Sequence, residues 1–246
     1  MYIRGLTEGI QNDLFILVYP LFPLIGGYYG WLIAKKWGGF NSAFGRAISF
    51  LSLGFFAQFI GQMLYDFYQI YLRVEIPYPS IGDLFYFGSV LLYVLGAYQL
   101  AKVAGLKITL KSSKGIFLAV VIPLIALIGS YIILLQGYDA DWSNKTVIFL
   151  DFGYPIGQAI YLSIALLVLL ISKNILGGLM RRPIMLLLFA LIAQFIADFV
   201  FSYQVSREVV TFYAGGTNDL MFAFAYFLMT IALLTMGNMF NKIRES

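Results

Sequence analysis

An all-α bundle of seven membrane-spanning helices is the fold class that this sequence predicts. Three observations carry the prediction. The 246-residue chain is 61% hydrophobic and only 11% charged, against roughly 45–50% and about 25% in an average soluble domain. So few charges cannot cover a soluble surface. Seven stretches reach the roughly 20 mostly apolar residues that a spanning helix needs. Finally, Lys and Arg alternate in density from one connection to the next.

The first span is placed at 14–34. It carries Pro20 and Pro23, which free backbone carbonyls and favour a kink. It also carries Gly26, Gly27 and Gly30, which let another helix approach closely. The second span, 47–71, holds Asp66 inside it and Tyr65, Tyr68 and Tyr71 at its end. The third, 82–104, follows the stiff extended stretch Ile76, Pro77, Tyr78, Pro79 and opens on Ser80 and Asp83, a helix-start pattern. The fourth is 115–135; the fifth, 146–171, carries Asp151 about a turn deep. The sixth, 183–202, contains Asp198, and the seventh, 220–239, is preceded by Thr217, Asn218 and Asp219. Trp31, Trp37 and Trp142 stand at span ends, as in an interfacial aromatic belt. Short connections make neighbouring spans antiparallel. A transmembrane barrel is excluded, because its strands are about 10 residues long and alternate in polarity.

Basic residues set the expected orientation. Lys35, Lys36, Arg46, Lys102, Lys107, Lys111, Lys114, Lys173, Arg181, Arg182, Lys242 and Arg244 are twelve of the sixteen Lys and Arg, and they share one side. Arg4, Arg73, Lys145 and Arg207 share the other. The positive-inside rule then puts the N-terminus outside and the C-terminus in the cytoplasm of a multi-pass plasma-membrane protein. Of the twelve acidic residues, only Glu245 lies in a cytoplasmic segment. The first twelve residues contain Arg4 and Glu8 and no apolar core, so no cleavable signal peptide is expected.

An internal repeat organises the chain. Ala57, Gln58, Phe59 and Ile60 recur as Ala193, Gln194, Phe195 and Ile196, an offset of 136. At half that offset, Asp83, Asp151 and Asp219 are equally spaced by 68. Asp83, Tyr86 and Tyr93 fall on Asp151, Tyr154 and Tyr161. On a helix the two tyrosines of each copy sit at about 300° and 280° from the Asp, so they share a face. The expected organisation is one domain, 1–246, with an extra first helix at 1–40 and hairpins at 41–108, 109–176 and 177–246. All three hairpins run the same way, as in a parallel repeat about the membrane normal.

The absent residue types narrow the chemistry. The chain has no Cys and no His. Thiol chemistry, iron–sulfur ligation, Ser–His–Asp catalysis and His-based zinc hydrolysis are therefore excluded. No catalytic residue, metal ligand or cofactor is assigned. Carboxylates, tyrosines and glutamines remain as polar actors. Asp83, Asp151 and Asp219 read in two ways. They cap helices, favoured by the N-terminal dipole, or they ring an outward-facing site with Tyr86, Tyr93, Tyr154 and Tyr161 below. Acidic rings attract cations, and tyrosine faces suit organic cations. Asp66 and Asp198 lie within spans, where a charge is costly and marks a functional candidate. Gln58, Gln62, Gln194 and Ser202 are their candidate partners. No Lys or Arg lies deep in any span.

The stretch from Ile76 to Gly96, with Pro79, Ser80 and Asp83 opening a Leu- and Tyr-rich helix, resembles a known pattern. It is similar to the membrane-embedded, multi-helix input regions of bacterial cyclic-di-GMP signalling proteins and related sensors. The resemblance implies a sensor. With no output domain expected after the last span, the signal would pass to a separate membrane or cytoplasmic protein, or to a second copy of the chain. The lipid bilayer is the other expected partner, and nucleic acid is not one. A retinal protein is excluded, because 220–239 contains no Lys for a Schiff base. A small-molecule or cation transporter or channel subunit is the alternative, suggested by repeated hairpins and intramembrane carboxylates.

Overall fold

The computed structural model describes residues 9–74, 76–106, 110–137, 142–175, 181–206 and 216–245, with backbone only for 171–175, 205–206 and 242–245. Arg4, Glu8, Lys107 and Arg207 lie outside the described residues, as do the side chains of Lys173, Lys242 and Arg244. Among the described residues all regular structure is helical, and seven segments are long and apolar enough to cross a membrane. The architecture is that of a multi-pass membrane protein.

The first span is broken. Helix α1 (Ile10–Val18) ends where Tyr19 meets Pro20, and α2 (Leu21–Lys36) follows at once. The break sits at Pro20, one of the two prolines expected to favour a kink, which lacks the N–H that the ladder needs, while Pro23 falls in the first turn of α2. Helix α3 runs from Ala43 to Asp66 and continues to Leu72 with a wider, five-residue winding. Ser42 caps its start by accepting from the Gly45 N–H at 2.8 Å. Helix α4 (Ile81–Val103) opens on a capping box between Ser80 and Asp83. Helix α5 (Ser113–Ser130) also widens at its end, through Leu135. Helices α6 (Lys145–Ile175), α7 (Arg181–Ser206) and α8 (Thr217–Glu245) complete the chain.

Six spans close into a ring. Helix α2 packs on α3 and α8, α3 on α4, α4 on α6, α6 on α7, and α7 on α8. The fourth span stands outside. Only 11% of the α5 window is buried, against 39–56% in the other six. It rests on α6, and its widened end touches α7.

Glycines set the closest approaches. A methyl added at Gly26 would lie 2.5 Å from the Thr230 hydroxyl and 2.6 Å from the Phe55 ring. Between α3 and α4 the fit repeats every seven residues. Tyr86 lies over Gly61 and Tyr93 over Gly54, and a methyl at either glycine would meet the ring at 3.2 and 2.6 Å. Tyrosine knobs on α4 fill glycine hollows on α3, which fixes the antiparallel register of the pair.

Charge is sorted along the bundle axis. Lys35, Lys36, Arg46, Lys102, Lys111, Lys114, Arg181 and Arg182 gather at one end, where α2 and α4 finish and α3, α5 and α7 begin. The described aspartates occupy the other half.

Candidate functional site

At the aspartate end, each carboxylate of the repeat is held by a tyrosine from another segment. Asp83 is 4% exposed. Its Oδ2 accepts the Ser80 backbone N–H at 2.7 Å and the Ser80 hydroxyl at 2.9 Å. Its Oδ1 accepts the Tyr65 hydroxyl of α3 at 2.8 Å. Tyr154 of α6 donates to the Asp83 backbone carbonyl at 3.1 Å and reaches Oδ1 at 3.5 Å. Capping is thus a role of Asp83, and the same carboxylate also ties three spans together. Asp219 lies in the first turn of α8 and accepts the Tyr19 hydroxyl at 3.4 Å. Asp151 is different. It stands well inside α6, whose start Asn144 caps through the N–H groups of Thr146 and Val147. Its Oδ1 accepts the Tyr78 hydroxyl at 2.6 Å on an exposed surface.

Two further carboxylates lie deeper. Asp66, 3% exposed, accepts from Gln62 Nε2 at 2.8 Å through Oδ1, and its Oδ2 has no partner. Gln62 in turn accepts the Tyr86 hydroxyl at 2.6 Å. Asp198, half-buried, accepts the Tyr161 hydroxyl at 2.9 Å and Gln194 Nε2 at 3.0 Å. The two acids share one local device, a glutamine one turn earlier on the same helix donating to the carboxylate. Gln58 links spans differently. It donates to Ser89 at 2.7 Å and accepts from Tyr226 at 2.7 Å, which joins α3, α4 and α8. The one ion pair among the described residues is Arg73 with Asp13, at 2.8 Å on the rim. Asp66 and Asp198 therefore have no basic partner there.

A ladder of rings threads the ring of helices. Tyr19 stacks on Tyr226 at 6.2 Å, and Tyr226 meets Phe55 at 5.9 Å. Phe55 meets Tyr93 at 6.5 Å, Tyr93 meets Tyr161 at 6.1 Å, and Tyr161 meets Phe195 at 6.4 Å. Each of the six ring spans contributes one aromatic. Edge-to-face contacts of this kind lock relative rotations.

The structure thus unites some of the sequence candidates and separates others. Asp83 meets Tyr154, Tyr93 meets Tyr161, and Gln62, Asp66 and Tyr86 form one chain of hydrogen bonds. Asp219 pairs with Tyr19, which lies outside the repeat. Asp151 stays apart at the rim. Sequence reasoning missed Tyr19, Tyr78, Ser89 and Tyr226. Tyr19 lies in the helix outside the repeat, and Tyr226 falls on Val90 at the offset of 136, so register pointed to neither. Two surface hollows, of about 410 Å³ beside Trp142 and about 170 Å³ beside Trp31, take in none of these carboxylates. Comparison with family profiles, curated sequences and solved structures finds no match.

Proposed function

We propose that the chain is an integral membrane sensor that takes a cationic ligand at its aspartate end and signals through a separate protein. One observation carries this reading: the three repeat carboxylates at that end are each clasped by a tyrosine of a different segment. Tyr65 and Tyr154 hold Asp83, Tyr19 holds Asp219, and Tyr78 holds Asp151. A cation drawn to these carboxylates competes with the hydroxyls for the same oxygen lone pairs. Binding therefore re-pairs contacts between spans, which is how a ligand biases a helix arrangement. The aspartate end faces outward in this reading, because eight of the ten described Lys and Arg side chains gather at the other end. The chain comprises three hairpin copies after an extra helix. Support comes from the packing of α3 on α4, α5 on α6 and α7 on α8, and from the first-turn placement of Asp83 and Asp219.

Tetramethylammonium serves as the test probe. Added to the outer side of reconstituted protein, it should produce a saturable change in backbone hydrogen exchange at the starts of α4 and α8. No change up to concentrations where salt effects dominate would reject the cationic-ligand sensor. A second reading, ion-coupled transport, is favoured by Asp66 and Asp198, which sit within spans without a basic partner. There, Asp66→Asn and Asp198→Asn abolish solute flux in proteoliposomes, and absence of any flux in the unaltered protein sinks it.

A further inference from the structure

We propose that Asp66 is an intramembrane proton-binding site whose occupancy is read out by the Gln62 amide and the Tyr86 hydroxyl. Hydrogen bonds join the three side chains end to end. Gln62 Nε2 donates to Asp66 Oδ1 at 2.8 Å, and the Tyr86 hydroxyl donates to Gln62 Oε1 at 2.6 Å. Gln62 and Asp66 stand one turn apart on α3, and the Tyr86 ring of α4 lies over Gly61. Both donors point toward the carboxylate. An aligned chain of this kind depends on the acceptor at its end.

The second oxygen of Asp66 sets it apart. Asp66 is 3% exposed, and its Oδ2 accepts no hydrogen bond. Asp83 and Asp198 each engage both carboxylate oxygens, and Asp13 shares both of its own with Arg73. A buried anion with an unanswered oxygen is costly, and a proton on Oδ2 removes the charge. The elements packed on this end of α3 bring no free cation to do so. From α4 come Tyr86 and Asp83, the latter held by Ser80 and Tyr65. From α1 comes Asp13, whose partner is Arg73, and just beyond α1 the Tyr19 hydroxyl holds Asp219. Tyr28 and Tyr29 of α2 are exposed, and the widened turns after Asp66 carry Tyr68 and Tyr71.

The step is a protonation. A proton from the water at the aspartate end adds to Oδ2, an O–H bond forms, and Asp66 loses its charge. Within the triad, the acceptor open to the new hydroxyl is Gln62 Oε1. Half a turn of the carboxyl brings it there and displaces the Tyr86 hydroxyl. The same residue anchors the next set of contacts. The Tyr86 backbone carbonyl accepts the Ser89 hydroxyl at 2.6 Å, Ser89 accepts Gln58 Nε2 at 2.7 Å, and Gln58 accepts the Tyr226 hydroxyl at 2.7 Å. A proton bound at the end of α3 thus loosens the turn of α4 that is linked to α8.

The site is independent of whether the chain signals or transports, because it is measured on the purified protein. Infrared difference spectra of the full chain in detergent, from alkaline to acidic pH, should show a buried protonated-carboxyl band that grows on acidification. The band should be absent in Asp66→Asn and retained in Asp198→Asn. Tyr86→Phe reads the release. Its melting temperature should lie below that of the unaltered protein while Asp66 is ionised, and the gap should close once the band has grown in. A Tyr86 bond that serves only packing keeps the gap at every pH. Should Asp66→Asn fail to fold, the unaltered protein and Tyr86→Phe still decide through that gap. Three results overturn the proposal: no titrating band, a band that survives Asp66→Asn, or a Tyr86→Phe gap that does not change with pH.

Discussion

Two tyrosine hydroxyls, one helical face apart in their surroundings, separate pairing from mere burial. Tyr161 and Tyr93 are both fully buried and their rings touch edge to face at 6.1 Å. The Tyr161 hydroxyl holds Asp198, whereas the Tyr93 hydroxyl has no partner. Removing one partner of a buried hydrogen bond costs more than removing a group that has none. Tyr161→Phe should therefore destabilise the bundle by about 1–2 kcal/mol, and Tyr93→Phe should be neutral or slightly stabilising. Thermal denaturation in detergent of both variants checks this. An equal loss in the two would mean that the hydrogen bond to Asp198 is not what Tyr161 contributes.

At the scale of elements, glycines divide into those that a neighbouring helix needs and those that it does not. Gly26 on α2 faces the fully buried Phe55, so an added methyl has nowhere to go. Gly26→Ala should cost about 1–3 kcal/mol through overpacking. Gly129 on α5 has nothing within 4 Å of where a Cβ would stand. There the helix gains from alanine, and Gly129→Ala should stabilise by about 0.5–1 kcal/mol. Unfolding midpoints of the two variants should move in opposite directions. Both glycines sit in apolar spans and look alike in sequence. Their difference comes from the position of α5 outside the ring, which hydropathy does not reveal.

For the whole molecule, the sorting of charge makes orientation testable, and the natural absence of Cys gives a clean background. Ser143, exposed before α6, and Ser113, exposed at the start of α5, lie at opposite ends of the bundle. In sealed cells Ser143→Cys should react with a membrane-impermeant maleimide, and Ser113→Cys only after permeabilisation. The reverse pattern would invert the proposed topology.

The sequence by itself determined the helical class, the seven spans to within a few residues, the proline break in the first span and the cap at Asp83. These follow from local terms: hydropathy over 20 residues, the missing N–H of proline, and a Ser three residues ahead of a carboxylate. It also made Asp66 and Asp198 visible, because an acid inside an apolar span stands out in one dimension. Only the tertiary structure decided which spans close the ring, that α5 lies outside it, and which oxygens meet. Asp83, Asp151 and Asp219 are equally spaced in sequence, yet their tyrosine partners, Tyr65 and Tyr154, Tyr78, and Tyr19, come from four different segments. Gln58 of α3 and Tyr226 of α8 meet across the bundle at 2.7 Å, a pairing that no spacing encodes. A period along the chain specifies what each helix presents. The close approaches that glycines permit, and the aromatic contacts that follow, specify what it presents to.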